Sequence, residues 1–290
     1  MTGTFVLSVN TEDLNEPRSG RTHWDAADRR YDAQREAAHR FMRLLTGHAM
    51  AATWVVAETA ILAAWGRRRS DGRDSGNQLV SAITGMATVQ DIALMPSHAA
   101  AVVSGTAVHG DNAGILRCSQ FAEWKENRIC SLALPTDAGI DVEPYTSFGF
   151  TACCQTPLAT QPSSLTDDLF QRPLPMWRTS ELKLDGPILV VPISMFITSI
   201  DNHRRLVPEA VRIARIRKGL DQAAREDAVV HLSIRLSDLG RSETLFRTVE
   251  DILFDVAEAR ASGALRMATA AALRRLYDDE ARGVAPRRAA

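Results

Sequence analysis

The chain has 290 residues, of which 45% are hydrophobic and 24% are charged, and its formal net charge at pH 7 is -1. A chain of this length and composition can bury one large core or two smaller ones. The balanced charge argues against a general nucleic-acid binder, because no surplus of basic residues is available to neutralise phosphates. Neither a basic leader with an apolar run nor an apolar stretch of membrane-spanning length occurs, so we predict a cytoplasmic protein without a membrane span.

The first predicted strand ends in polar and acidic residues. Residues 4–9 are mostly apolar, and Asn10, Thr11, Glu12 and Asp13 follow them directly. In α/β proteins the site is normally built where parallel strands end, so Glu12 and Asp13 are candidate catalytic residues. The alternative is that these two carboxylates cap the next helix or lie in a solvated turn.

Apolar runs alternate with amphipathic segments along the rest of the chain. Further strands are predicted at residues 51–56, 91–95, 128–134, 150–154, 187–192, 229–234 and 265–269, and the longer helices at residues 27–46, 208–226 and 244–261. This alternation predicts a parallel β/α architecture. No break in composition divides the chain, so we predict a single domain over residues 1–280 and a flexible tail over residues 281–290.

Three segments resemble, in the right order, the polysaccharide deacetylases, also called NodB-type carbohydrate esterases. They are residues 7–12 at the end of the first strand, residues 52–56 in the second, and residues 217–253 around the last barrel strand. The resemblance covers nearly the whole chain and implies a distorted (β/α)7-type barrel. It also implies removal of acetyl groups from sugars by a divalent metal such as zinc, held by one carboxylate and a His-x-x-x-His pair, with an Asp base and a late His acid.

The residues that would carry this chemistry are changed. Asn10 stands where the base should be, and an amide cannot take up a proton at neutral pH. Met95 occupies the first histidine position and His98 is out of step with the second, and a thioether is a poor ligand for such metals. On the last strand the family's His-Pro is Arg235-Leu236, and an arginine does not release its proton. We therefore predict a degenerate site without a metal.

The same resemblance, together with the loop composition, predicts which side chains line a binding site at the barrel mouth. Arg235 can bind a carboxylate, sulfate or phosphate through two hydrogen bonds, or form a salt bridge with Glu12, Asp13 or Asp238. His98 can contact a ligand or simply form a surface hydrogen bond, and Trp177 lies in a Pro-rich loop where it can stack on a sugar. The predicted substrate-binding residues are Asn10, His98, Thr136, Asp137, Trp177 and Arg235.

Two further residues are predicted to be structural. His231 lies in the middle of a strand among valines and leucines, so we expect a packed, hydrogen-bonded histidine. Trp54 has a similar strand context and is expected to lie in the core.

The sequence thus predicts a polysaccharide-deacetylase-like protein that binds a sugar or glycan intermediate, or a protein partner, in surface-polysaccharide biosynthesis. One alternative is an active hydrolase that removes an acetyl group from an N-acetylated sugar, with Glu12, Asp13 and His98 in a rebuilt site that uses a divalent metal. Another is a metal-free enzyme acting on glycosides through paired carboxylates such as Glu12 and Asp137. A hydrolase needs ligands and a base that converge, whereas a binder needs only a lined cleft.

Overall fold

A computed structural model of the chain describes residues 2–11, 24–57, 90–95, 130–135, 143–146, 149–156, 181–197 and 209–282. Within these ranges the chain forms ten strands and six helices. The strands are β1 (Gly3–Asn10), β2 (Ala52–Ala57), β3 (Gln90–Met95), β4 (Ser131–Pro135), β5 (Ala152–Thr156), β6 (Lys183–Asp185), β7 (Ile188–Val191), β8 (Met195–Ile197), β9 (Val229–Arg235) and β10 (Leu265–Ala268). The helices are α1 (Trp24–Gly47), α2 (Glu143–Thr146), α3 (Glu209–Glu226), α4 (Leu236–Arg241), α5 (Glu243–Ala261) and α6 (Ala270–Ala281).

The strands form one mixed sheet that curls into a half-barrel. Their order is β6-β7-β5-β4-β3-β2-β1-β9-β8, and β10 also pairs with β1. Every pair is parallel except the β6–β7 hairpin. The predicted α/β barrel fold is therefore confirmed. Of the ten strands, β6 and β8 were not predicted, and each is only three residues long.

The two flanks of the curled sheet are connected by a short piece of chain. β7 pairs with β5 on one flank, and β8, which begins only four positions after Val191, pairs with β9 on the other flank. Residues 192–194 therefore cross from one flank to the other. His231 of β9 fixes this crossing through its backbone, because its N–H donates to Ser194 Oγ and its carbonyl accepts from the Ser194 N–H, both at 3.0 Å.

Alternate residues of β1 face the inside of the curl. Val6 shares one buried cluster with Leu189 and Val191 of β7, although four strands separate β1 from β7 in the sheet. Leu273 of α6 belongs to the same cluster, so the sheet curls around this helix and the face that carries Val6 is concave. Because successive side chains of a strand alternate between faces, Ser8 and Asn10 lie on this concave face too.

The first turn of α6 closes the lower end of the concave face. The Ala270 N–H donates to Thr53 Oγ1 at 2.9 Å, and the Ala271 N–H donates to Asp91 Oδ2 at 3.2 Å. Asp91 also accepts a 2.7 Å hydrogen bond from Ser131 Oγ, and burial raises the pKa of its carboxyl. The first N–H groups of a helix have no partner within the helix, so side chains from β2 and β3 supply the missing acceptors and fix α6 beneath the sheet.

The opposite face of the sheet packs against helices α1, α3 and α5. Trp54 of β2 is fully buried there, as predicted, and its ring meets the ring of Phe41 edge-on at 6.3 Å between centroids. Phe41 in turn meets Phe246 of α5 edge-on at 6.3 Å. These aromatic contacts join α1, β2 and α5 into one continuous core.

Gly3 lies where α3 packs against the start of β1. A Cβ atom at this position would overlap with the carbonyl oxygen of Ala223, a backbone atom that cannot rotate away. We expect Gly3→Ala to lower the free energy of unfolding by roughly 1–3 kcal/mol, the usual range for overpacking. Denaturant titration measures this, with Gly47→Ala as the control because nothing lies within 4 Å of a Cβ there. Equal, small effects of both changes would contradict the close approach.

Candidate functional site

Two of the predicted site residues lie side by side at the carboxyl end of the sheet. Asn10 is the last residue of β1, Arg235 is the last of β9, and the two are partners in the parallel register. The structure thus brings together these two predicted residues. The other predicted site residues lie outside the described residues and are not placed; they are Glu12, Asp13, His98, Thr136, Asp137 and Trp177.

The amide of Asn10 is buried without a hydrogen-bond partner. The residue is 2% exposed, and neither Oδ1 nor Nδ2 has a partner in the described part of the chain. A buried polar atom left unpaired costs about 1–3 kcal/mol, so native proteins seldom keep one without a use for it. Asn10 therefore presents an acceptor, Oδ1, and a donor, Nδ2, on the concave face at the carboxyl end of the sheet, which we call the mouth.

Arg235 lies beside an aromatic ring that is not among the predicted site residues. Its guanidinium carbon is 5.1 Å from the centroid of the Phe196 ring on β8, a distance at which a cation is attracted to the ring face. In the β8–β9 register Phe196 is the partner of Ser233, whose buried Oγ has no hydrogen-bond partner among the described residues. The mouth therefore combines an amide and a guanidinium beside an aromatic face, and the Ser233 hydroxyl lies two residues deeper, in register with Ser8.

A signal for this polar lining is present in β9. The strand alternates apolar residues with polar ones, and this period of two is typical of a strand with two different faces. The residues on the polar side are His231, Ser233 and Arg235. Ser233 could have been found from this alternation, whereas Phe196 lies in a three-residue strand whose partner only the structure shows.

Beneath Asn10, Ser8 and His231 form a buried pair. Ser8 Oγ lies 2.9 Å from His231 Nε2, and His231 Nδ1 lies 3.1 Å from the carbonyl oxygen of Pro192. A carbonyl oxygen only accepts, so Nδ1 carries the proton and Nε2 accepts from the Ser8 hydroxyl. Burial lowers the pKa of His231 to about 4, so its ring is neutral at pH 7.

This pair has the composition of a nucleophile and its base, but its burial gives it a structural role. A reacting serine must reach substrate, whereas Ser8 and His231 are both 0% exposed and lie below Asn10 in the sheet. The lowered pKa also makes the imidazole a weak base. The prediction that His231 is a packed, hydrogen-bonded histidine is confirmed.

The described cysteines are not candidates for nucleophilic chemistry either. Cys130, Cys153 and Cys154 are free thiols, and the last two are buried in β5. Burial raises the pKa of Cys130, raises that of Cys153 to about 12 and raises that of Cys154 well above its ordinary value. All three therefore stay protonated at neutral pH, and a thiol is much less reactive than a thiolate.

The described side chains at the mouth do not fit a divalent metal. Across the described ranges, no three His, Cys, Asp or Glu side chains form a group that could hold one. The last residues of β1, β3 and β9 are Asn10, Met95 and Arg235, which supply an amide, a thioether and a cation that repels a metal ion. Because Glu12 and His98 lie outside the described residues, a metal-free site stays a prediction.

The architecture is that of an α/β barrel of the polysaccharide-deacetylase type. A solved structure described as a "putative polysaccharide deacetylase from Mycobacterium smegmatis" is similar to this chain with a TM-score of 0.59 over 99% of this chain and 93% of that one. The two sequences are 14% identical, so the similarity shows the fold alone. No family model matches the sequence, and no curated protein matches it. In the described ranges, no helix is long and apolar enough to cross a membrane.

Proposed function

We propose that this protein binds a sugar or glycan intermediate at the carboxyl ends of β1, β8 and β9 and does not hydrolyse it by a metal-dependent route. The observation that carries the proposal is Asn10, a buried amide with both polar atoms unpaired at the position where the resemblance implies a catalytic aspartate. An amide cannot act as a general base at neutral pH, but it can both donate a hydrogen bond and accept one.

The neighbouring groups support binding of a polyhydroxylated ligand. Sugar hydroxyls donate and accept hydrogen bonds, so they complement both atoms of the Asn10 amide. The Phe196 ring adds an apolar surface beside Arg235. A few convergent polar groups beside an aromatic face are typical of small-ligand sites. A role in surface-polysaccharide biosynthesis, a cytoplasmic location, a single domain over residues 1–280 and a protein partner are further parts of this hypothesis.

The second candidate function is an active hydrolase that removes an acetyl group from an N-acetylated sugar. It would depend on Glu12, Asp13 and His98, and no contact among the described residues favours it over binding.

The test is a binding measurement on the purified protein. Isothermal titration against a panel of oligosaccharides should give a ligand whose affinity falls about tenfold or more in Asn10→Ala, because two hydrogen bonds to a buried group are lost. Gln222→Ala, which removes an amide from the outer helix α3, is the matched control and should bind as the unaltered protein does. The panel should contain both neutral and acidic sugars.

A parallel assay separates binding from hydrolysis. The unaltered protein, incubated with zinc, cobalt or nickel and an N-acetylated oligosaccharide, is expected to release no acetate above the protein-free control. Metal-dependent acetate release that is lost in Glu12→Ala or His98→Ala would overturn the proposal and establish the hydrolase instead.

A further inference from the structure

We propose that the site is specific for a sugar that carries a carboxylate next to a hydroxyl group, the chemistry of a uronic acid unit. This inference rests on the proposed glycan-binding function and names the chemical class of the ligand. It follows from which hydrogen-bonding groups the mouth presents and from where each of them lies.

Donors outnumber acceptors in the two side chains at the mouth. Asn10 Nδ2 and the N–H groups of the Arg235 guanidinium are donors, and Asn10 Oδ1 is the acceptor that these two side chains provide. A carboxylate accepts hydrogen bonds and donates none, so it complements the donors. A hydroxyl beside that carboxylate supplies the donor that Asn10 Oδ1 requires.

Phe196 lies on one side of Arg235. The guanidinium carbon is over the Phe196 ring, 5.1 Å from its centroid, and the N–H groups of a guanidinium lie in the plane of the group and point outward from its edges. An N–H edge of this kind pairs with the two oxygens of a planar carboxylate through two parallel hydrogen bonds. Arginine carries five N–H groups, so it can bind a ligand in addition to any contact within the protein.

Asn10 and Arg235 are neighbours that differ in depth. They are register partners on adjacent strands, which lie about 4.8 Å apart in a sheet, so one sugar ring can contact both side chains. Asn10 is buried whereas Arg235 is half-buried, so the ligand would reach inward past the arginine to the amide. In such a poorly solvated place hydrogen bonds to a charged group are strengthened.

The test compares oligosaccharides that differ only in the acidic group. Isothermal titration would use an oligouronate, the same oligosaccharide with its carboxyl groups reduced to alcohols, and a sulfated analogue of the reduced form. We expect the oligouronate to bind at least about tenfold more tightly than either of the others. Arg235→Gln should reduce the ratio between oligouronate and reduced form to about one, and Arg235→Lys should restore only part of it because lysine has no planar fork.

Arg247→Gln, which removes an equal charge from the exposed surface of α5, is the control and should keep the full ratio. Equal affinity of the unaltered protein for the oligouronate and its reduced form would overturn the carboxylate inference and leave the glycan-binding function standing. Equal affinity for the sulfated analogue would overturn it in favour of a general anion site. Binding of none of the three by the folded protein would overturn the inference, and failure across the whole panel would overturn the proposed function as well.

Discussion

Lowering the pH from 6.5 to 4 should reduce the free energy of unfolding by about 3 kcal/mol through His231 alone. The pKa of this residue is lowered by burial from the ordinary value of 6.5 to about 4. Between these two pH values the unfolded chain binds a proton on this imidazole that the folded chain does not bind, so a falling pH favours unfolding. Each pH unit in this interval contributes about 1.4 kcal/mol, and the loss is complete below pH 4.

The effect can be separated from that of other titrating groups by comparing variants. Chemical denaturation of the unaltered protein and of His231→Gln at pH 6.5, 5 and 4 should show a steeper loss of stability in the unaltered protein. His39→Gln, which removes an exposed histidine from α1, controls for the loss of an imidazole. If His231→Gln shows the same slope as the unaltered protein, His231 is already charged in the folded state and the description of its buried pair with Ser8 is wrong.

Truncating Phe41 to alanine should lower the free energy of unfolding by about 3–5 kcal/mol, the range for removing a buried aromatic side chain. Phe41 is fully buried and meets both Trp54 and Phe246 edge-on. The truncation therefore removes apolar burial and two aromatic contacts, and it leaves a cavity between α1, β2 and α5 that the surrounding strand and helices can fill only in part.

Phe254→Ala is the matched control for this prediction. Phe254 lies on α5, as Phe246 does, but it is 53% exposed, so truncation should cost no more than about 1 kcal/mol. Urea titrations with an unchanged slope against denaturant would allow the two midpoints to be compared directly. Similar losses for Phe41→Ala and Phe254→Ala would show that α1 does not pack on the sheet as described.

The main strands could be predicted from the sequence because their burial leaves a strong local pattern. Residues 4–9 are largely apolar, and β1 buries all eight of its residues, so the run of apolar residues is the strand itself. β6 has no such pattern, because Lys183, Leu184 and Asp185 are all exposed. Its antiparallel pairing with β7 depends on the turn between the two strands. The short helix α4 directly follows β9. A helix of one or two turns has too few positions for the helical period of its apolar residues to be recognised in the sequence.

The site could be predicted only in part, for a similar reason. The resemblance singles out both Asn10 and Arg235, and the structure makes them register partners. Phe196 and the Ser8–His231 pair depend on contacts between residues far apart in the chain, which no local pattern encodes. The alternation of β9 indicates that one face of the strand is polar, but it does not show which residues of other strands that face contacts.

The crossing of residues 192–194 makes the circumference of the mouth adjustable. On either side of it, β7 and β8 pair with β5 and β9, whereas His231 fixes the crossing through contacts with Ser194 and Pro192. We expect an insertion or deletion here to change the distance between β7 and β8 and so the width of the aperture beside Phe196. Variation in the length of residues 192–194 is therefore the simplest way for the same fold to accept ligands of different width.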